Sequence, residues 1–547
     1  MSNIGISESL TVEFKSDVSR IPDGDIIDAV VAFANTDGGD LYLGVEDNGD
    51  VSGLHKDHMD TTRLAAFIAN KTVPPVPVRT EILDFDRPVL KISVPKQTSV
   101  VASSSGKIQR RRLKADGTPE NVPMYPYEIS SRLSSLNRLD YSAQPVLDAS
   151  YEDLDPVERE RLRNVIRSYH GETALLELDD EELDKSLQFV KQQGDCLIPT
   201  YCGLLMIGRA ASLKNYMPTA EASIQVLEGT DIRVNESFTM PILASFERIM
   251  DKFLAWNRSE EITIGLFRMT IPDYDQRAFR EALVNAFCHR DYSMLGRVRI
   301  QMNDEGMTIA NPGGFVEGIS ADNLLDAEPH GRNVVLADAM KRIGLAERTG
   351  RGIDRIYEGS LLNGRLLPDY SRSTPSRVVL FIPKGPTDKA FIRMVSAEQK
   401  RLGRSLPIYS LLVLNALKNL SKSSVHDVAE YLKIDETRAR VCLETLAGSG
   451  IIEAGGSGRG RYYLLGSDYY RSIDNSPEYV RRKDIDAIRH SELTMQLAKQ
   501  QGTIARKDVI NLLHITPPQA YRLLQKLVEE GKLYLVGHGV GAKYVVK

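Results

Sequence analysis

Two glutamates and a lysine lie close together near the start of the chain and could support metal-dependent chemistry. Glu8 and Glu13 are five residues apart, and Lys15 follows two residues later. On a strand Glu13 and Lys15 share one face, and Glu8 would reach them from a preceding turn or helix. The pair Glu46-Asp47 supplies a third carboxylate after an apolar strand pattern. These groups could bind Mg2+ or Mn2+ and activate water against a phosphodiester, with Lys15 stabilising phosphate charge. The alternative is an exposed strand on which Glu and Lys alternate.

A second polar pair lies near the middle of the chain, in a segment with helical periodicity from 279 to 292. Glu281 and Asn285 are one turn apart and fall on the face opposite an apolar stripe. That position suits either a ligand site or a plain surface pair. Two later glycine segments could let backbone amides approach phosphate. The predicted stripe comprises Phe279, Ala282, Leu283, Ala286 and Phe287, and the glycine segments contain Gly313, Gly350 and Gly352.

Basic residues in the segment 107–114 could follow a nucleic-acid backbone. As a strand, this segment places Arg110 and Arg112 on one face and Arg111 on the other. Arginine and lysine also protect the edges of sheets, so a solvated edge strand is the alternative.

The C-terminal region repeats one pattern, three helices and a hairpin, over 407–465 and 488–546. We interpret the repeats as two winged helices, with Val441, Leu443 and Leu446 facing the first core. Residues 401–547 carry 22 lysines and arginines against 15 acidic residues, which favours a polyanionic partner. The alternative is a pair of protein-interaction or dimerisation modules. The candidate nucleic-acid contacts are Arg438, Arg440, Arg459 and Arg461 in the first copy and Arg522 and Lys526 in the second.

The chain of 547 residues is too long for one hydrophobic core. Its 42% hydrophobic and 26% charged residues exclude collagen-like, mucin-like and wholly disordered classes. No apolar run is long enough for a membrane span and no signal peptide is recognisable, so we expect a cytoplasmic protein without a membrane partner. The element pattern predicts an α+β multidomain chain divided at 1–139, 140–390, 391–475 and 476–547.

The N-terminal motifs resemble the AlbA-like domain of the Schlafen family. The resemblance covers about the first 130 residues and rests on Glu8-x4-Glu13-Phe-Lys15, on Ala32-Phe-Ala-Asn-Thr-Asp-Gly-Gly39, and on Leu41-Tyr-Leu-Gly-Val-Glu-Asp47. In nuclease-active Schlafens two glutamates and a later acid form a metal-dependent RNA-cleaving centre. The resemblance assigns these roles to Glu8, Glu13 and Glu46, with Asp47 as the alternative third acid.

The segment around Glu281 and Asn285 resembles the N-box of the gyrase and histidine-kinase (GHKL) ATPase superfamily. The resemblance implies that Asn285 holds Mg2+ with the triphosphate of ATP, and that Glu281 activates water in hydrolysing members. Gly313 belongs to a segment similar to the first glycine box, and Gly350 and Gly352 to one similar to the phosphate loop. Asn311 stands where the superfamily has an adenine-reading Asp, so its contact with the base would be weaker.

The order of these segments resembles bacterial Schlafen-related, ATP-binding transcriptional regulators. Our first hypothesis is a nucleic-acid-binding regulator that responds to nucleotide, with DNA as the first choice of partner and RNA as the second. A metal-dependent nuclease acting in defence against foreign nucleic acid is the alternative, and an assembly protein held together by its C-terminal modules is a third hypothesis. Because winged-helix proteins often match two half-sites, we expect a homodimer or a higher oligomer.

Overall fold

The computed structural model describes residues 3–264, 267–328, 330–347, 350–420, 422–456, 458–472, 490–491, 493–513, 515–537 and 543–546. The chain forms two compact units. The first contains residues 1–257, 276–356 and 368–383, and the second contains 258–275, 357–367 and 384–547. The four-part division at residues 139, 390 and 475 stays a prediction.

The first unit begins with a small sheet covered by helices. Its strand order is β1-β2-β5-β4, with β1 parallel to β2 and the other pairs antiparallel. Gly39 must be glycine, because its φ is +152° and a Cβ would lie 2.5 Å from the Phe33 ring. The elements are β1 (Val12–Lys15), α1 (Asp23–Ala34), β2 (Gly39–Leu43), α2 (Thr61–Lys71), β3 (Thr72–Val73), β4 (Arg79–Asp84), β5 (Pro88–Val94), β6 (Ala102–Ser103), β7 (Gln109–Leu113) and β8 (Pro119–Pro123).

Apolar residues of α1 and the sheet form one core, which includes Ile26, Val30 and Phe33 from the helix and Leu41 and Ile92 from the strands. The helices and the hairpin that follow are α3 (Pro126–Ser135), α4 (Pro156–Ser168), α5 (Asp180–Ser186), β9 (Val190–Gln193), β10 (Cys196–Pro199), α6 (Tyr201–Ile207) and α7 (Ala210–Tyr216).

A five-stranded sheet of order β12-β11-β15-β16-β17 completes the first unit. Strands β11 and β15 are parallel, and the other neighbouring pairs are antiparallel. The stripe predicted in the helix α9 is confirmed: all five of its residues are buried, and Phe279 stacks on Phe253 at 3.8 Å between ring centroids. The elements are β11 (Glu221–Glu228), β12 (Asp231–Phe238), α8 (Ile242–Trp256), α9 (Gln276–His289), β15 (Arg297–Met302), β16 (Gly306–Pro312), α10 (Val334–Arg342), α11 (Gly352–Leu361) and β17 (Arg377–Pro383). Residues 357–361 of α11 are assigned to the second unit. The intervening pair β13 (Ser259–Ile264) and β14 (Phe267–Pro272) belongs to the second unit.

The second unit also contains two helix-and-hairpin modules. The first comprises α12 (Lys389–Leu402), α13 (Ile408–Leu420), α14 (Val425–Leu432), α15 (Glu436–Ser449), β18 (Ile452–Gly455), β19 (Tyr462–Leu465) and α16 (Ser467–Ser472). The second comprises β20 (Thr503–Ala505), helices Arg506–Leu513 and Pro517–Glu529, β21 (Leu533–Val536) and β22 (Lys543–Val546), with strand order β20-β22-β21. Their assignment as winged helices stays a prediction.

One core residue predicted for the first module was wrong. Val441 is exposed, whereas Ala439, Leu443 and Leu446 are buried. The helix period puts positions 439, 443 and 446 on one stripe and turns position 441 to the opposite side. In the part of the chain that the structure describes, no helix combines the length and the apolar character needed to cross a bilayer.

Candidate functional site

The N-terminal carboxylate Glu13 is buried in a set of polar partners. Strand β1 runs beside β2 with Glu13 opposite Leu41. Only 4% of Glu13 is exposed, and its carboxylate pairs with Lys15 at 2.9 Å and with Arg111. The Asn121 amide also donates to both carboxylate oxygens, at 3.2 and 3.1 Å. The charge of Glu13 is therefore fully compensated inside the protein.

Arg111 is buried as well, which corrects its prediction as a surface contact for nucleic acid. Its guanidinium donates to the carbonyls of Ser9 (2.7 Å) and Val12 (3.2 Å) and lies 4.5 Å from the Phe33 ring centroid. Burial lowers the pKa of Arg111, and Glu13 acts against that effect. The Arg111 side chain is therefore buried, and its charge pairs with that of Glu13.

The other predicted acids divide into two groups. Glu8 accepts a hydrogen bond from the Phe14 amide at 2.9 Å. Burial lowers the pKa of Lys15, but the charges of Glu13, Glu8 and Asp47 outweigh it and the pKa is raised. Asp47, and not Glu46, is among the acids whose charges raise this pKa.

Glu46 has different neighbours, and hydrogen bonding from Ser16 lowers its pKa. Among the described residues, no group of three His, Cys, Asp or Glu side chains is arranged to hold a metal ion. The expected convergence of Glu8, Glu13 and Glu46 on one cation was wrong in this respect, since Glu13 already binds two cationic side chains.

The basic strand β7 alternates as expected. Arg110 and Arg112 lie on the face opposite the buried Arg111. Arg110 pairs with Glu128, and Arg112 donates from Nε to Glu120 at 2.7 Å. Arg112 is the more exposed of the two and remains a candidate phosphate contact.

A pocket in the first unit collects most of the residues predicted to bind nucleotide. Helix α9 supplies side chains one turn apart, β16 supplies Asn311 at its end, and a loop and the start of α11 supply glycines. Among the described residues that follow β16, Gly314 rather than the predicted Gly313 lines the pocket. Gly313 has φ +90° and packs against Asp291. The predicted residues that line the pocket are Glu281, Asn285, Asn311, Gly350 and Gly352.

Glu281 is the chemically unusual residue of this pocket. It is 4% exposed, and its Oε2 atom has no hydrogen-bond partner among the described residues. Burial raises the pKa of Glu281, and the charge of Arg355 opposes this only in part. A Cβ at Gly352 would lie 2.1 Å from Glu281 Oε1, so glycine lets the start of α11 approach the carboxylate.

Two further pocket residues were not predicted. His289 follows Asn285 by one helical turn, and Lys341 comes from α10. Burial, together with the charges of Arg332 and Lys341, lowers the pKa of His289 to about 4, so its imidazole is neutral at pH 7. The spacing 281, 285, 289 could have identified His289 in the sequence, but no local signal identifies Lys341.

The basic residues of the first C-terminal module differ in their exposure and in their contacts with other side chains. Arg440 is exposed, and the Arg438 guanidinium lies 4.6 Å from the Tyr409 ring centroid. Arg461 pairs with Glu444 at 2.8 Å, which offsets part of its charge.

In the second module Arg522 and Lys526 are both exposed, and Lys526 lies 3.8 Å from Glu530. The side chain of Arg459 lies outside the described residues, as does the hairpin tip at 538–542.

Comparisons with known proteins identify three segments of the chain. Residues 8–117 match the family model described as "Schlafen, AlbA_2", and residues 296–381 match "Putative ATP-dependent DNA helicase recG C-terminal". Residues 132–223 match a domain of unknown function. Helix α9 lies before the second of these matches, so Glu281 and Asn285 fall outside it.

The fold is similar to the crystal structure of the DIP2311 protein from Corynebacterium diphtheriae. The TM-score is 0.51 at 21% sequence identity, covering 85% of this chain and 94% of that chain. At this identity the similarity establishes a common fold. Together with the family matches, it shows that the chain carries an AlbA-like Schlafen domain followed by an ATPase-like domain.

Proposed function

We propose that the chain is a nucleic-acid-binding protein that binds a nucleotide, ATP with Mg2+, in the pocket of its ATPase-like domain. The observation that carries this proposal is the buried carboxylate of Glu281, whose Oε2 lacks a partner among the described residues while Asn285 lines the same pocket. Burying an unpaired polar atom costs free energy, and a bound ligand would offset that cost.

The charges of the pocket fit a nucleotide that arrives with a cation. Glu281, Glu328 and Glu347 line it, and Lys341 is its lysine among the described lining residues. Triphosphate alone would be repelled by three carboxylates. Mg2+, when bound, would offset the phosphate charge, and the amide oxygen of Asn285 is a suitable ligand for it.

The remaining lining groups suit the other parts of a nucleotide. The helix α11 begins at Gly352, and the N-terminus of a helix favours an anion. Asn311 donates from Nδ2 to the Pro312 carbonyl at 3.2 Å, so its Oδ1 is the atom that could accept from an adenine amino group. Glu281 could take a proton from water, because burial raises the pKa of this carboxyl and makes it a stronger base.

Calorimetric titration of the full chain with ATP and Mg2+ tests the nucleotide proposal. We expect binding in the wild type and at least tenfold weaker binding in Asn285→Ala. The matched control is Asn164→Ala, which changes an exposed asparagine of the helix α4. Glu281→Gln should keep binding and lose any hydrolysis. Absence of binding by the wild type would refute the proposal.

Nucleic-acid binding is supported by the Schlafen and RecG family matches and by the exposed basic residues Arg112, Arg440, Arg522 and Lys526.

We further propose that the C-terminal modules are winged helices, that the protein is a dimer or higher oligomer, and that it regulates transcription. Nucleotide could bias its arrangement on DNA only by binding one arrangement more tightly than another. Gel shifts with and without ATP and Mg2+ test this coupling.

A metal-dependent nuclease acting on RNA or DNA is the second candidate function. The Schlafen family match over residues 8–117, which contains Glu8, Glu13 and Asp47, supports it. A cation bound to Glu13 would have to displace Arg111 and Lys15, which disfavours it. Incubation with labelled RNA and DNA plus Mg2+ or Mn2+ decides the matter. Cleavage lost in Glu13→Ala would establish the nuclease, and gel shifts without cleavage would favour the regulator.

A further inference from the structure

Two tyrosines at the start of the helix α3 expose most of their rings to solvent. Tyr125 is 59% exposed and Tyr127 is 51% exposed. Their rings are nearly parallel, with 10° between the planes and 6.1 Å between the centroids. Aromatic rings normally gain free energy by burial, so two large exposed π-faces side by side call for a partner.

The backbone that carries the pair is firmly held. The Tyr125 amide donates to the Glu128 carboxylate at 2.8 Å, which caps α3. One residue earlier, the Met124 amide donates to the Ile108 carbonyl at 2.9 Å, which ties this segment to the start of the basic strand β7. The exposure of the rings is therefore a property of an ordered segment.

The hairpin that precedes the pair carries two exposed cationic side chains, Arg112 and Lys114. Arg112 is exposed and is close enough to Tyr125 to interact with it electrostatically. Lys114, which directly follows the last residue of β7, is also exposed. Arg112 also pairs with Glu120 at 2.7 Å, which offsets part of its charge. Aromatic faces near cationic side chains are features with which proteins bind single-stranded nucleic acids.

We propose that Tyr125 and Tyr127 stack on unpaired bases of a single-stranded nucleic acid whose phosphates contact Arg112 and Lys114. This inference rests on the proposed nucleic-acid binding and adds the class of substrate. A duplex keeps its base faces stacked inside, so it cannot use the tyrosine rings in this way. The positive neighbours favour a nucleic acid over an uncharged protein surface as the occupant.

Fluorescence anisotropy of the full chain with a labelled 20-mer of thymidine and with a 20-base-pair duplex tests the proposal. We expect the double variant Tyr125→Ala, Tyr127→Ala to bind the single strand at least tenfold more weakly, with little change for the duplex. The matched control, Tyr125→Phe with Tyr127→Phe, keeps both rings and should bind the single strand like the wild type. Equal thermal stability of the three proteins is expected because both rings are exposed.

Four outcomes would overturn the inference. If the alanine variant binds the single strand as well as the wild type does, or loses single strand and duplex equally, the tyrosines do not read unpaired bases, although the proposed nucleic-acid binding stands. If the variant instead loses self-association in ultracentrifugation with single-strand binding intact, the pair is a protein interface. If the wild type binds neither probe, the proposed nucleic-acid binding itself fails.

Discussion

Glu13 and Glu281 are equally buried, at 4% exposure each, but their surroundings differ. Glu13 receives hydrogen bonds from Asn121 and ion pairs from Lys15 and Arg111. Glu281 keeps one carboxylate oxygen without a partner among the described residues, and it lines a pocket. Glu13 therefore has its polar partners within the protein, whereas Oε2 of Glu281 has none among the described residues.

The contrast separates two uses of a buried acid. A compensated carboxylate stabilises the fold, and removing its partner is costly because a charge is left in a poorly solvated place. A buried carboxylate that is only partly compensated, as Glu281 is, reduces stability until a ligand pairs with it. The comparison therefore predicts opposite stability changes when each charge is disturbed.

The largest effect is expected for Arg111→Met. Loss of the guanidinium leaves Glu13 with Lys15 as its remaining cationic partner and removes hydrogen bonds to Ser9 and Val12. We expect a destabilisation of about 3 kcal/mol in the N-terminal domain. Hydrogen exchange of the β1 and β2 amides measures it locally.

The double variant Arg111→Met, Glu13→Gln is the matched control for that change. Because it also removes the stranded charge, it should recover part of the lost protection. Unchanged hydrogen exchange in Arg111→Met would show that the ion pair of Arg111 with Glu13 does not stabilise the strands β1 and β2. The claim that Glu13, unlike Glu281, stabilises the fold would then fail.

A smaller effect of opposite sign is expected for Glu281→Gln without nucleotide. Burial raises the pKa of Glu281 above its ordinary value of 4.5, so the stability of the native state falls as pH rises through the raised pKa. The variant should match the wild type below pH 4.5 and exceed it by about 1–3 kcal/mol near neutral pH. Thermal unfolding from pH 4 to 8 measures this. A variant that is less stable at neutral pH would contradict the account.

Gly352→Ala tests both stability and ligand binding. The added methyl group would lie 2.1 Å from Oε1 and 2.9 Å from Cδ of the buried Glu281 side chain, so we expect a cost in stability of about 1–3 kcal/mol. The displaced carboxylate should also weaken binding of ATP with Mg2+ at least tenfold. Gly448→Ala is a suitable control, because a Cβ at Gly448 meets nothing within 4 Å. Gly318→Ala is not suitable, because Gly318 has a positive φ that alanine rarely adopts. Unchanged nucleotide affinity in Gly352→Ala would argue against the pocket.

The smallest stability effect belongs to Arg112→Ala. Its ion pair with Glu120 is exposed, and such pairs add little to stability. We expect no measurable change in Tm, together with a shallower salt dependence of nucleic-acid binding. A marked decrease in Tm for Arg112→Ala would mean that Arg112, like the buried Arg111, contributes to the stability of the fold although it is exposed.

Much of the pocket could be predicted from the sequence because it is built from regular spacing. The 3.6-residue period placed Glu281 and Asn285 on one face of α9 and Phe279 and Leu283 on the other. The glycine motif directed attention to Gly352. The same period extends to His289, which was not among the predicted ligand residues.

The rest depended on contacts between distant parts of the chain. Alternation in β7 put Arg111 on a different face from Arg112, but it could not tell which face is buried. The partner of Arg111, Glu13, lies 98 residues away. Likewise Lys341 reaches the pocket from a separate helix, and the choice between Glu46 and Asp47 depends on a turn rather than on a repeating pattern.

The central claim is that the pocket around Glu281 and Asn285 takes a nucleotide with Mg2+. A crystal structure of the full chain grown with a non-hydrolysable ATP analogue and Mg2+ tests it most directly. The account predicts ligand density beside Asn285, with phosphates near Gly350 and Gly352 and a partner for Glu281 Oε2. A pocket without ligand density at saturating analogue, or an analogue bound elsewhere, would contradict it.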